Sequence, residues 1–193
     1  MRKLVVFNHV TLDGYFVDMN GDMSWAHKND AEWKTFAEGN AKGDGPLLFG
    51  RITYELMASY WPTPNAIKND PIVAEGMNRM RKIVFSRTLE NPSWSNTKAV
   101  KGDIAAEVRK MKNESGPGMA ILGSGSIVSQ LTAEGLIDEY QIIMNPIILG
   151  KGRTMFEGIN EKVNLRPTTT RTFANGKIFL SYEPIALAKV GRA

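Results

Sequence analysis

Cysteine is absent from this 193-residue chain. A disulfide framework, a thiolate zinc site, an iron–sulfur cluster and a cysteine nucleophile are therefore excluded. Histidine is almost as scarce, with only His9 and His27, so no metal site is expected. No Gly-x-Ser-x-Gly elbow is present, which argues against an α/β-hydrolase. The His-x-Glu and paired cysteines of zinc deaminases are missing too. No apolar run approaches the ~20 residues of a membrane span, and Asn145 and Pro146 break the strand-like run 142–149. The basic start Met1-Arg2-Lys3 is followed by an apolar run, 4–7, too short for a signal peptide. Like charges never run to five or six in a row, so neither nucleic acid nor a membrane is an expected partner. A cytoplasmic protein with a small-molecule substrate is the simplest expectation.

What is present is ordinary for a folded chain: 42% hydrophobic and 23% charged residues, with a net charge of +4. Such values exclude collagen, coiled coil and intrinsic disorder. The length fits one domain over 1–193, with 185–193 as a C-terminal tail. At that size roughly 70% of the unfolded surface can be buried, so no covalent or metal staple is required.

Apolar runs and breakers set the order of elements. The β-branched run 4–10 reads as a buried first strand, followed by a Gly/Asp/Asn-rich loop over 13–22. Asn29 or Asp30 can cap a helix carrying Trp33, Phe36 and Ala37. Leu47-Leu48-Phe49 is a short strand that turns at Gly50 into a helix with Ile52 and Leu56 four apart. Three prolines make 61–71 a loop, and a short helix over 72–80 precedes a strand at 82–85. Asp103 caps a helix with Ile104, Val108 and Met111 on one stripe. A strand at 119–122 runs into Gly123-Ser124-Gly125-Ser126 and a further helix. A longer strand spans 140–149. Two last strands meet at Asn175-Gly176, a pair suited to a type I′ turn. The alternation predicts an α/β fold: a mixed, mainly parallel sheet with helices on both faces and a C-terminal antiparallel hairpin. Ligands of such sheets bind beyond the carboxyl ends of the strands.

Three strand-to-helix turns carry anion-binding chemistry. Gly50-Arg51-Ile52-Thr53 combines free backbone N–H groups at a helix start with a guanidinium and a hydroxyl. Gly123-Ser124-Gly125-Ser126 permits close backbone approach to a pyrophosphate. It is neither a Rossmann fingerprint, since Val128 holds the third glycine position, nor a P-loop. Ser86-Arg87 adds another hydroxyl and guanidinium. Singly they have plainer readings: Gly50 makes a turn and Thr53 caps its helix, residues 123–126 form a tight turn, and Ser86-Arg87 is a solvated strand end; together they suit an extended, phosphate-rich ligand such as a dinucleotide. A fourth region, Met23-Ser24-Trp25 to Asp30-x-x-Trp33, sets a carboxylate beside two large aromatics, where desolvation can raise its pKa for proton relay. Helix capping by Asp30 and core packing by Trp33 explain the same residues.

These motifs resemble a known family. Thr11-Leu12-Asp13-Gly14, Gly50-Arg51-x-Thr53-Tyr54-Glu55, Gly123-Ser124-Gly125-Ser126 and Gly150-Lys151-Gly152-x-x-x-Phe156 are similar to the reductase domain of the riboflavin-biosynthesis deaminase–reductase, over about residues 4–182. The resemblance implies the dihydrofolate-reductase-like fold in a stand-alone member. It implies NADPH as cofactor, with Phe16 and Val17 near the nicotinamide and Gly50, Arg51, Ile52 and Thr53 at the phosphates. Ser86 and Arg87 would meet the 2′-phosphate, and Leu122, Gly123, Ser124, Gly125, Ser126 and Ile127 the pyrophosphate. The segment from Met23 to Trp33 also resembles dihydrofolate reductase itself, so Asp30 inherits a catalytic role in protonation. Trp25, Trp33 and Tyr54 would line the substrate pocket. Two departures bear on the substrate: Gly123-Ser124-Gly125 replaces the paired glycines of folate reductases, and Tyr15 replaces the basic residue common in riboflavin enzymes. The implied activity is NADPH-dependent hydride transfer to a small heterocyclic or sugar-linked compound. A pterin or folate reductase and a non-catalytic nucleotide-binding regulator are the alternatives. A homodimer is compatible with the resemblance.

Overall fold

The computed structural model describes residues 1–27 and 30–185. The apolar first run forms β1 (Leu4–Thr11), and its pairing organises the sheet. In chain order there follow β2 (Tyr15–Val17), a 3-10 turn (Ser24–His27), α1 (Ala31–Ala41), β3 (Leu47–Gly50), α2 (Arg51–Tyr60), α3 (Pro64–Asn69) and α4 (Pro71–Arg79). Next come β4 (Lys82–Phe85), β5 (Thr97–Val100), α5 (Ile104–Asn113), β6 (Met119–Leu122) and α6 (Gly125–Ala133). The chain closes with β7 (Glu139–Asn145), β8 (Arg153–Thr154), β9 (Leu165–Thr172) and β10 (Ile178–Pro184). Eight strands make one sheet in the order β5-β4-β3-β6-β1-β7-β10-β9, and β2 pairs with β8 in a separate ribbon. The pairings from β5 through β7 are parallel, whereas β10 runs antiparallel to both β7 and β9.

Alternation along the strands divides the core. Leu4, Val6 and Val10 pack with Val108 and Met111 of α5 and Val128 and Leu131 of α6. Leu47, Phe49 and Val84 turn the other way, against Tyr54, Met77 and Trp94. A third, aromatic cluster joins Trp33 and Phe36 of α1 to Ile143, Phe173 and Phe179. Burying a residue such as Phe49 contributes about 1.5–3 kcal/mol, and Phe49→Ala would cost about 3–5 kcal/mol with its cavity.

The structure corrects several sequence expectations. Residues 61–71 are not wholly a loop: Thr63 caps α3, and Pro64 and Pro71 occupy first-turn positions where the missing N–H is harmless. Asp30 caps α1; Asn29 lies outside the described residues. The strand β5 gave no apolar signal because its residues are polar or half-buried at the sheet margin. β7 ends at Asn145, since Pro146 has no N–H to continue the ladder. The last hairpin does not use a type I′ turn. Phe173 N–H donates to Lys177 O and Gly176 N–H to Phe173 O, with Gly176 alone at φ +85°. That is a three-residue loop closed by a left-handed glycine. Of the tail expected at 185–193, only residue 185 lies within the described residues.

Candidate active site

The parallel pairing brings two of the glycine turns side by side, because β3 and β6 are neighbours and both end at the same sheet edge. Gly123 adopts φ +63°, and a Cβ there would approach Thr53 to 2.6 Å, so only glycine lets this turn close onto α2. Ser124 follows at φ +58°, a left-handed conformation that is costly for a side chain. Three bonds hold it: its N–H donates to Thr53 Oγ1 at 3.0 Å, its hydroxyl donates to the same oxygen at 3.0 Å, and its Oγ accepts from Gly50 N–H at 2.6 Å. Asn8 of β1 braces the turn from below, its Oδ1 accepting from Gly123 N–H at 2.7 Å.

The hydroxyls of Thr53 and Ser124 thus join the two turns to each other. The groups left to meet a ligand are the helix starts. Neither α2 nor α6 has a side-chain cap, whereas α1 and α5 are capped by Asp30 and Asp103. Uncapped N-termini carry partial positive charge and backbone donors that favour an anion. Arg51 stands at the start of α2, half-exposed and paired with Glu55 at 2.9 Å. Phe16 of β2 packs on the start of α6, where a Cβ on Gly125 would fall 3.0 Å from its ring.

These groups open into a cleft of about 1680 Å³. Phe16, Val17, Gly50, Arg51, Ile52, Thr53 and the stretch from Leu122 to Ile127 all line it, as do Asp30 and Trp33 on the α1 side. Asp30 Oδ1 accepts from Trp33 N–H at 2.7 Å, so the carboxylate is anchored as the cap of α1. Four expected residues are placed elsewhere. Tyr54 is buried under α2, its hydroxyl accepting from Trp94 N–H at 2.9 Å, and is a core residue rather than a pocket wall. Ser86 and Arg87 lie outside the cleft wall; the Ser86 hydroxyl accepts from the N–H groups of Thr88 and Leu89, and Phe85 lines the cleft in their place. Trp25 is half-buried beside the cleft, with an indole N–H that has no partner among the described residues.

Sequence reasoning missed the polar groups beneath α1. His9 of β1 lines the cleft and meets the Trp33 ring edge-on at 5.2 Å. Burial, aided by the nearby Lys177 charge, lowers its pKa to about 3, so the imidazole is neutral. Lys177 itself is fully buried, with Nζ 4.1 Å from the Trp33 ring centre. The motif Thr11-Leu12-Asp13-Gly14 gains a structural reason. The Asp13 carboxylate accepts from Thr11 Oγ1 and from the N–H groups of Leu149 and Gly150, pinning the first loop to the one after β7. Those bonds, led by Thr11, hold its pKa below the usual carboxylate range.

The family described as the RibD C-terminal domain matches residues 2–179. The chain is 27% identical to the uncharacterized protein YyaP of Bacillus subtilis (strain 168), over 94% of both chains. A crystal structure from Shewanella sp. PV-4, provisionally assigned to riboflavin biosynthesis, superposes with a TM-score of 0.68 at 22% identity, covering 95% of this chain and 99% of that one. The Thermotoga maritima diaminohydroxyphosphoribosylaminopyrimidine deaminase/5-amino-6-(5-phosphoribosylamino)uracil reductase gives 0.65 at 17% identity, covering 95% of this chain and 57% of that one. The fold is thus the dihydrofolate-reductase-like fold. This chain belongs to the RibD C-terminal domain family. Among the described residues no helix is long and apolar enough to cross a membrane.

Proposed function

We propose that the chain is a single-domain, NADPH-dependent reductase that transfers hydride to a C=N or C=O carbon of a small heterocyclic or sugar-linked compound. The observation that carries this reading is the pair of adjacent, uncapped helix starts opening into one cleft with Asp30 and Trp33. Backbone donors at the starts of α2 and α6 would hold the pyrophosphate, with Arg51 adding a forked guanidinium once it exchanges Glu55 for a phosphate. Phe16 and Val17 would cover the nicotinamide, which supplies the hydride. On the opposite wall Trp33 would stack on the substrate, and Asp30, or water held by it, would deliver the proton. The eight residues of β9 are all exposed on an open sheet edge, which supports pairing of two copies there.

Titration of tryptophan fluorescence with NADPH, and separately with NADH, tests the cofactor assignment. The expected result is salt-sensitive NADPH binding that weakens about tenfold or more in Arg51→Ala. Failure of the parent protein to bind either nucleotide would overturn the reductase reading.

A further inference from the structure

Three lysines are buried in the described structure, and they are not equivalent. Lys112 is neutralised by Asp138 and donates to Leu136 O at 2.9 Å. Lys82 donates to three carbonyls, of Asn78, Met80 and Ser95, at 2.8–3.1 Å. Lys177 has one hydrogen-bond acceptor among the described residues, Ala26 O at 2.8 Å. An ammonium that keeps so few partners in the interior is costly, and a methionine of the same length would fill that space at lower cost.

The surroundings suggest what the charge does. Antiparallel pairing of β10 with β7 begins at Ile178–Met144, so Lys177 stands one step beyond, level with Asn145. Asn145 donates to the carbonyls of Val10 and Ile143 and lies 3.4 Å from His9 Nδ1, while its Oδ1 is buried without a partner among the described residues. His9, Asn145 and Lys177 form a polar floor. Above it sit Ala26 of the 3-10 turn and Trp33 of α1, both of which line the cleft. We propose that Lys177 is a positioning residue for the substrate end of the cleft: it ties the 3-10 turn to the sheet and supports the Trp33 ring next to Asp30. The inference rests on the reductase reading, in which Asp30 and Trp33 meet the substrate.

Titratable groups stand on each element around this ammonium, and Asp30 acts on it most directly. His9 on β1 is neutral, His27 lies on the 3-10 turn, and Asp30 caps α1; the Glu32–Arg171 pair ties α1 to β9 at the surface. Burial lowers the Lys177 pKa to about 8, and Asp30 opposes the fall. The ammonium therefore gives up its charge just above neutral pH, and with it the electrostatic hold on the turn.

Two variants in the full chain test this. Lys177→Met removes the charge and keeps the volume, and its fold is checked by circular dichroism. NADPH affinity is expected within about twofold of the parent, while kcat/KM falls about tenfold at neutral pH and the alkaline limb near pH 8 disappears. In lysine-labelled protein, the Lys177 amine resonance should titrate near pH 8 and move down in Asp30→Asn. A Lys177 midpoint indifferent to Asp30→Asn, or a Lys177→Met variant with the parent's kcat/KM and pH profile, overturns the proposal. Should the parent fail to bind NADPH, the reductase reading falls. The amine titration then decides the link between Lys177 and Asp30 by itself.

Discussion

Lys82 and Lys177 are both fully buried, both sit over a tryptophan ring, and burial lowers both amines to about pKa 8. They differ in what their N–H groups meet. Lys82 closes off the end of α4 by satisfying three carbonyls from α4, the β4 approach and the β5 approach. It completes its hydrogen bonds within the scaffold and has nothing to offer a ligand. Lys177 satisfies one carbonyl and spends the rest of its charge on a ring, a neutral imidazole and a carboxylate at a cleft. Completeness of coordination, rather than burial or pKa, separates the structural lysine from the one beside the cleft.

The largest expected effect follows directly. Lys82→Met removes a donor shared by three carbonyls, of which Asn78 O keeps Asn96 Nδ2 and Ser95 O keeps Thr97 Oγ1 while Met80 O is stranded, and should lower stability by about 2–3 kcal/mol, read from urea midpoints. Lys177→Met strands only Ala26 O while removing a poorly solvated charge, so its stability should stay within about 1 kcal/mol of the parent. Equal losses in the two variants would break the contrast.

The acid side sharpens it, because His9 neighbours Lys177 and not Lys82. His9 has a folded pKa of about 3, below the 6.5 of the unfolded chain. Below pH 6.5 the unfolded chain binds the extra proton, so stability present above that pH is lost on acidification. The share of His9 between pH 6.5 and 4.5 is about 2–3 kcal/mol. His9→Gln should flatten that slope. Lys177→Met should shallow it, since one of the charges depressing the imidazole is gone, and Lys82→Met should leave it unchanged.

The glycine-turn side of the cleft was more legible in the sequence than the α1 side, for physical reasons. Glycine next to strand-forming residues marks a turn whatever surrounds it, so Gly50 and the 123–126 turn were readable and stand together on β3 and β6. Residues on helices were harder. On α2, Ile52 and Leu56 look like an apolar stripe, yet they are 67% and 47% exposed and line the cleft, while Tyr54 and Ala58 face the core. The stripe was real; its direction depended on the cleft. Lys177 gave no signal at all. A lysine after Asn-Gly reads as a solvated hairpin residue, and only the register with β7 places it beneath Trp33. Asn8 was missed as well, a lone amide on the face of β1 that otherwise carries Leu4, Val6 and Val10.

A further expected effect lies on the alkaline side and distinguishes the two lysines from ordinary surface ones. Each has a folded pKa of about 8, against 10.5 for the unfolded chain. Between these values the unfolded chain still holds protons that the folded chain has released, so stability rises as pH increases through the window. Surface lysines, with the same pKa in both states, contribute no such slope. Urea midpoints of the parent at pH 8 and pH 10 should therefore increase, after correction for tyrosine ionisation near the upper limit. Lys177→Met should lose its part of that rise without losing stability at neutral pH. A parent whose midpoint falls monotonically from pH 8 would mean that both amines keep their protons, and the alkaline limb expected in the kinetics would then need another titrating group.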